Sequence, residues 1–139
     1  MFEIDRAFLG TSHVVGELAL SHVRLHADAR FPWIVLIPRV DHARELEALA
    51  PGERDVLMEE IVRAGDGVRD VGLALGRPVE KLNVGQLGNV TPQLHVHIVG
   101  RRADDDAWPG PVWGQGAVTA YSPEDLATAL EAVRGSLGL

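Results

Sequence analysis

The sequence predicts an α+β domain built from an antiparallel sheet of about five strands, one long helix and a C-terminal helix. Three observations predict it. Short alternating or wholly apolar runs, bounded by turn residues, occupy residues 14–38 and again 82–100. Between them, residues 56–75 carry apolar side chains at three- and four-residue steps, the period of a helix. A helix start with its cap follows at Ser122. Runs of strands on either side of a helix, the last two joined by only a few residues, favour antiparallel pairing.

Taken in order, residues 2–9 hold Phe2, Ile4, Phe8 and Leu9 in a mixed stretch that suits a brief helix or a packed arm. Val14, Val15, Leu18, Leu20, Val23 and Leu25 mark one or two strands, with Gly16 as a turn or bulge. Trp33 to Ile37 is apolar at every position and closes on Pro38, so it is read as a central strand covered on both faces. Arg44 to Leu49 gives about one helical turn. Pro51 then suits the first position of the main helix. Val56, Leu57, Ile61, Ala64, Val68, Val71 and Leu75 form its inner stripe, while Gly65, Gly67 and Gly72 each cost about 1 kcal/mol relative to alanine, so packing must hold it. Leu82 to Leu87 alternates and pairs with the strand at 93–99. Residues 103–118 form a proline- and glycine-rich loop carrying Trp108 and Trp113, placed to line a site or to pack on a second subunit. Ser122 as cap, Pro123 in the first turn and Asp125 three residues after the cap open the last helix, with Leu126, Leu130 and Val133 inward.

The whole of 1–139 is read as one domain, long enough to bury a core without cross-links. It has no cysteine, which fits a reducing cytoplasm. Neither a signal peptide at Met1 to Arg6 nor an apolar run of membrane-spanning length is seen, so no membrane partner is expected. Twenty acidic against thirteen basic side chains leave a formal charge of -7, which repels a nucleic acid polymer. A small anionic substrate remains compatible through local arginines such as Arg39, Arg101 and Arg102.

The stretch Thr91-Pro92-Gln93-Leu94-His95-Val96-His97-Ile98-Val99 carries the chemistry. At a period of two, Gln93, His95 and His97 share one face and Leu94, Val96 and Ile98 the other. With a rise of roughly 3.3 Å per residue, the two imidazoles start about 7 Å apart. The turn before them, Gly85-Gln86-Leu87-Gly88-Asn89, lets backbone amides approach an anion. A neutral imidazole with an ordinary pKa is a competent nucleophile near neutral pH. Asn83, Gln86, Asn89 and Thr91, on the incoming strand and turn, are candidate phosphate ligands.

Gln-Leu-His-Val-His-Ile-Val, with its glycine turn and the upstream strand Trp33 to Ile37 plus Pro38, resembles the histidine triad (HIT) family over residues 14–102. The resemblance implies the HIT-like fold and a bacterial nucleotide hydrolase without a cofactor, with Gln93 in place of the first triad histidine, His95 as nucleophile and His97 as the last histidine. In this reading Gln93 positions His95 or a phosphate oxygen, and His97 orients the site or assists the leaving group. The uridylyltransferase branch similarly carries glutamine at the last triad position. The implied substrate is a nucleoside phosphoramidate or a dinucleoside polyphosphate, cleaved at the α-phosphorus through a nucleotidyl-histidine. The turn after Leu25 would supply a ribose ligand, with Asp28 as candidate, and the chain would pair as a homodimer with a continuous sheet. Two readings compete: a nucleotide sensor on the same fold, and a metal site joining His95 and His97 to one of His13, His22, His26 or His42.

Overall fold

The computed structural model describes residues 1–139. Its elements in chain order are α1 (Arg6–Thr11), β1 (Ser12–Glu17), β2 (Ser21–His26), β3 (Trp33–Pro38), a 3-10 turn at Leu46–Ala48, α2 (Pro51–Ala74), β4 (Lys81–Gly85), β5 (Val96–Arg101) and α3 (Pro123–Leu137). The five strands form one sheet in the order β1-β2-β3-β5-β4, and every neighbouring pair is antiparallel. The predicted α+β fold is therefore the one observed, with β3 at the centre.

Side-chain parity divides the sheet into two different faces. Val23, Leu25, Ile34, Leu36, Val96 and Ile98 meet Leu57, Ala64, Val68 and Val71 of α2 and Ala129 and Val133 of α3 in the larger core. The alternate positions Trp33, Val35, Ile37 and Val99 pack with Phe8 of α1, Phe31 and Val112 in a smaller cluster. One face holds α2 and α3; the other carries the histidines and the Phe8 side chain of α1.

Local chemistry explains the boundaries. Ser122 accepts a hydrogen bond from the Asp125 amide at 3.1 Å, and Gly138 ends α3 with a left-handed backbone. α2 starts without a side-chain acceptor at Ala50; instead Glu53 accepts from the Ala50 amide at 2.7 Å, and Pro51 fills the first turn. The register between β1 and β2 shifts between Val14 and Gly16, a bulge where a glycine was expected to mark one.

The strand expected over 93–99 begins later, at Val96. Trp33 pairs with Val99 and Leu36 with Val96, so in this register Leu94 falls opposite Pro38, which has no N–H. The Leu94 amide donates to the Ala43 carbonyl at 3.0 Å instead. Gln93 to His95 thus lead into the ladder without belonging to it.

Close approach accounts for one glycine, and open space for another. A Cβ on Gly100 would lie 2.7 Å from Pro32 Cγ and from Val79 Cγ2 and 2.8 Å from Val68 Cγ1, whereas a Cβ on Gly135 in α3 would meet nothing within 4 Å. Gly100→Ala should therefore lose about 1–3 kcal/mol of stability by overpacking, and Gly135→Ala should gain up to about 1 kcal/mol. Urea unfolding of the two variants beside the parent checks both signs.

Candidate active site

His97 projects from β5 onto the smaller-cluster face, and His95 just precedes the strand on the same side. Their ring centroids are 4.8 Å apart at 77°. Each ring has one nitrogen committed to the protein. His95 Nδ1 lies 2.6 Å from the Gln93 carbonyl oxygen, which only accepts, so Nδ1 carries the proton and Nε2 keeps its lone pair. His97 Nδ1 lies 3.0 Å from Trp33 Nε1, which only donates. The lone pair of His97 is therefore on Nδ1 and its proton on Nε2. The two imidazoles hold opposite tautomers.

Aromatic side chains enclose the pair. Phe8 stands edge-on to His95 with centroids 4.9 Å apart, His26 stacks on Trp33 at 4.0 Å, and Trp113 crosses His97 at 5.5 Å. The Trp113 indole nitrogen is buried without a hydrogen-bond partner. His95 is 4% exposed. Burial, together with like charge from His95 and His26 when they are protonated, pushes the His97 pKa down to about 3. Burial also lowers His26, against a small opposing pull from Asp28.

The glycine turn closes the other side. A Cβ on Gly88 would lie 3.8 Å from His95 Cε1, so the turn runs past the imidazole. None of the amides from Gln86 to Thr91 enters a backbone–backbone hydrogen bond. Such N–H groups are the donors an anion needs. Gln86 and Thr91 are half-buried and Asn89 is exposed on this turn.

Three sequence-derived ligands are held elsewhere. The Gln93 carboxamide turns away from the imidazoles: Oε1 accepts from the Asp5 amide and Nε2 donates to the Glu3 carbonyl, both at 2.8 Å. Its backbone, not its side chain, positions His95. Asn83 Oδ1 accepts from Arg101 Nη1 at 2.7 Å, because Arg101 is 1% exposed and needs every acceptor it can reach. Asp28 is bound by Arg30 Nη2 at 2.8 Å and by the Arg30 and Thr119 amides, so it caps its own turn and has no free oxygen face for a ribose. Burial alone would raise the Asp28 carboxyl, yet these bonds bring it below the usual carboxylate range.

The arginines considered for anion binding are also paired within the chain. Arg39 meets Glu17 at 2.6 Å, Arg102 meets Asp104 at 2.8 Å, and Arg101 meets Asp105 at 2.8 Å. Arg101 also donates to the Gly110 carbonyl, so it anchors the loop that delivers Trp113 to His97. Trp108 lies over the Arg101 guanidinium at 5.5 Å and stays on the surface. His22 bridges Glu17 and Arg24. No three His, Cys, Asp or Glu side chains converge to hold a metal ion.

Sequence reading missed Trp33 and Phe8 as members of the site, and offered His26 only as one of four possible metal ligands beside His95 and His97. Trp33 was legible only as core. A tryptophan in a wholly apolar strand nevertheless brings an N–H that must find an acceptor, and that was the available signal.

Residues 10–104 match the HIT domain family. A histidine triad protein from Bradyrhizobium japonicum has a similar structure, with a TM-score of 0.91 and 34% identity over 98% of each chain. Another, from Marinobacter aquaeolei VT8, gives a TM-score of 0.89 and 34% identity over 99% of this chain and 97% of its own. A third, from Sinorhizobium meliloti 1021, gives 0.88 and 34% over 98% and 97%. No curated protein sequence matches. With a family match over most of its length and these relatives across nearly all of it, the chain belongs to the histidine triad family, whose members are generally nucleotide-binding hydrolases or transferases.

Proposed function

We propose that the protein hydrolyses nucleoside phosphoramidates or dinucleoside polyphosphates at the α-phosphorus, through a nucleotidyl group carried on His95. The observation that carries this reading is the pair of opposite tautomers, a lone pair on His95 Nε2 beside a proton on His97 Nε2. His95 Nε2 attacks the α-phosphorus. A P–N bond forms as the bond to the leaving group breaks, and the leaving group takes the electron pair, with a proton from solvent where it departs as an amine. Water then attacks the same phosphorus, the P–N bond breaks, and the spare proton of the water passes to solvent. His97 Nε2–H and the uncommitted amides of residues 86–91 stabilise the phosphoryl oxygens as charge builds. Gln93 stands, in this reading, at the first position of the triad.

A second reading, a nucleotide sensor without turnover, draws on the burial of His95 beneath Phe8. Both readings take a small nucleotide as partner. The proposal includes a second copy of the chain: Met58, Val62 and Leu73 of α2 and Val84 of the edge strand β4 are exposed apolar side chains that a homodimer joined through β4 would cover. No helix is long and apolar enough to cross a membrane. We place the protein in the cytoplasm, where a chain with no cysteine loses nothing to reducing conditions.

Incubation with diadenosine tetraphosphate should give a nucleotidyl adduct on His95 by intact mass and peptide mapping, and His95→Ala should lose adduct and turnover while still binding nucleotide. Turnover by the variant within about tenfold of the parent would remove His95 as nucleophile; binding by the parent without product would favour the sensor. Val84→Lys is expected to shift the protein to monomer in sedimentation. His97 gives a pH signature. Between about 3 and its ordinary 6.5, the unfolded chain takes up a proton that the folded ring refuses, so stability falls as pH falls through that window. Urea unfolding at pH 7 and pH 5 should show a smaller loss for His97→Asn than for the parent.

A further inference from the structure

We infer that the Trp33–His97 hydrogen bond selects substrates whose leaving group departs as an anion, the phosphoric anhydrides, over phosphoramidates, whose leaving nitrogen must gain a proton. The inference rests on the function proposed above. It makes Trp33 a positioning residue that acts through His97.

An imidazole delivers a proton from Nε2 without ending as an anion only if Nδ1 was protonated beforehand. In His97 that nitrogen faces the indole N–H at 3.0 Å. Protonating it would oppose two N–H donors and strip a buried indole, 5% exposed, of its hydrogen bond. Nothing nearby offsets the charge. The titratable groups that act on His97 are His95 and His26, both of which disfavour a cation there, and no carboxylate is among its hydrogen-bond partners. The neighbouring aromatic rings, Trp33 and Trp113, bring no negative charge. His95 has no proton to spare either, since its Nδ1–H is held by the Gln93 carbonyl and its Nε2 is the attacking atom.

What remains is a set of neutral donors, His97 Nε2–H and the amides of residues 86–91, which stabilise charge without moving a proton. That set suits one class of leaving group. When the P–O bond of an anhydride breaks, the electron pair stays on an oxygen whose conjugate acid ionises near pH 6, so no proton is required at neutral pH. When the P–N bond of a phosphoramidate breaks, the pair goes to a nitrogen that must be protonated as it leaves. A positioned acid is worth roughly 10²–10⁴-fold, and this site supplies none.

The test compares kcat/KM for diadenosine tetraphosphate and adenosine 5′-phosphoramidate with the parent and with Trp33→Phe, which keeps an aromatic ring and removes the N–H. The expected preference of the parent for the anhydride is about 10²-fold or more, narrowing by about tenfold in the variant as His97 Nδ1 becomes free to take a proton. Nitrogen-15 NMR of the parent is expected to show His97 neutral, with its proton on Nε2, at neutral pH. Equal or faster use of the phosphoramidate by the parent, an unchanged ratio in a folded variant, or a protonated His97 Nδ1 overturns the selectivity and leaves the hydrolase reading standing. Consumption of neither compound, with no adduct on His95, overturns both. Should Trp33→Phe fail to fold, the substrate ratio and the NMR of the parent still decide.

Discussion

The site depends on the assignment of one proton to each imidazole by a neighbour that has no choice in the matter. A backbone carbonyl can only accept and an indole N–H can only donate, so His95 and His97 are fixed in opposite forms by groups that do not titrate. The sheet makes this possible. Pairing of Trp33 with Val99 and of Val35 with His97 sets the indole diagonally across from the imidazole on one face, and a slip of β5 by one residue would send His97 to the helical core and leave the indole without its acceptor. Neither partner is a carboxylate, so no negative side chain is bonded to either imidazole in a chain of formal charge -7. An anionic phosphate entering there meets oriented donors without a negative neighbour hydrogen-bonded to either ring.

Charge near the site is used for construction. Arg101, buried on the same face as His97, is satisfied by Asp105, Asn83 and the Gly110 carbonyl, and its guanidinium lies against Phe31 and Trp108. Burial alone would raise the Asp105 carboxyl, but the bonds from Arg101 and from the Arg102 and Ala107 amides leave it below the usual range. A buried ion pair is weak support for stability but strong support for geometry, since losing one partner strands the other. Here it fixes the start of a long loop whose far part sets Trp113 across His97.

These two layers were unequally legible in the sequence. Periodicity placed β3, α2, β4 and most of β5, and cap chemistry placed the start of α3 at Pro123, because each is decided by residues close in sequence. The chemistry of His95 and His97 was legible as parity on a strand. The fates of Gln93, Asn83 and Asp28 were not. Gln93 is claimed by Glu3 and Asp5, Asn83 by Arg101 and Asp28 in part by Thr119, partners separated by 18 to 91 residues. A polar side chain beside a site goes to whichever buried group most needs it, and local pattern does not carry that information. Gln93 is the sharpest case. It satisfies the alternation, yet it precedes the ladder, so its side chain is free to turn toward the N-terminal arm.

That turn bears on how the imidazole is reached. The cover over His95 has two sides of unequal strength. On one, Phe8 is buried in the smaller cluster, and its arm is tied by both ends of the Gln93 carboxamide and by Asp5, which caps α1. Lifting it would expose a phenyl ring worth about 1.5–3 kcal/mol in burial and break two hydrogen bonds at about 1 kcal/mol each. On the other side, the turn from Gln86 to Thr91 contributes no amide to the backbone network and has Leu87, Asn89 and Val90 in solvent. Local opening follows the side with the fewest buried contacts and backbone bonds. The same free amides that offer an anion its donors therefore also make the turn the cheaper side to displace, while Gln93 keeps the phenyl wall in place against the nucleophile.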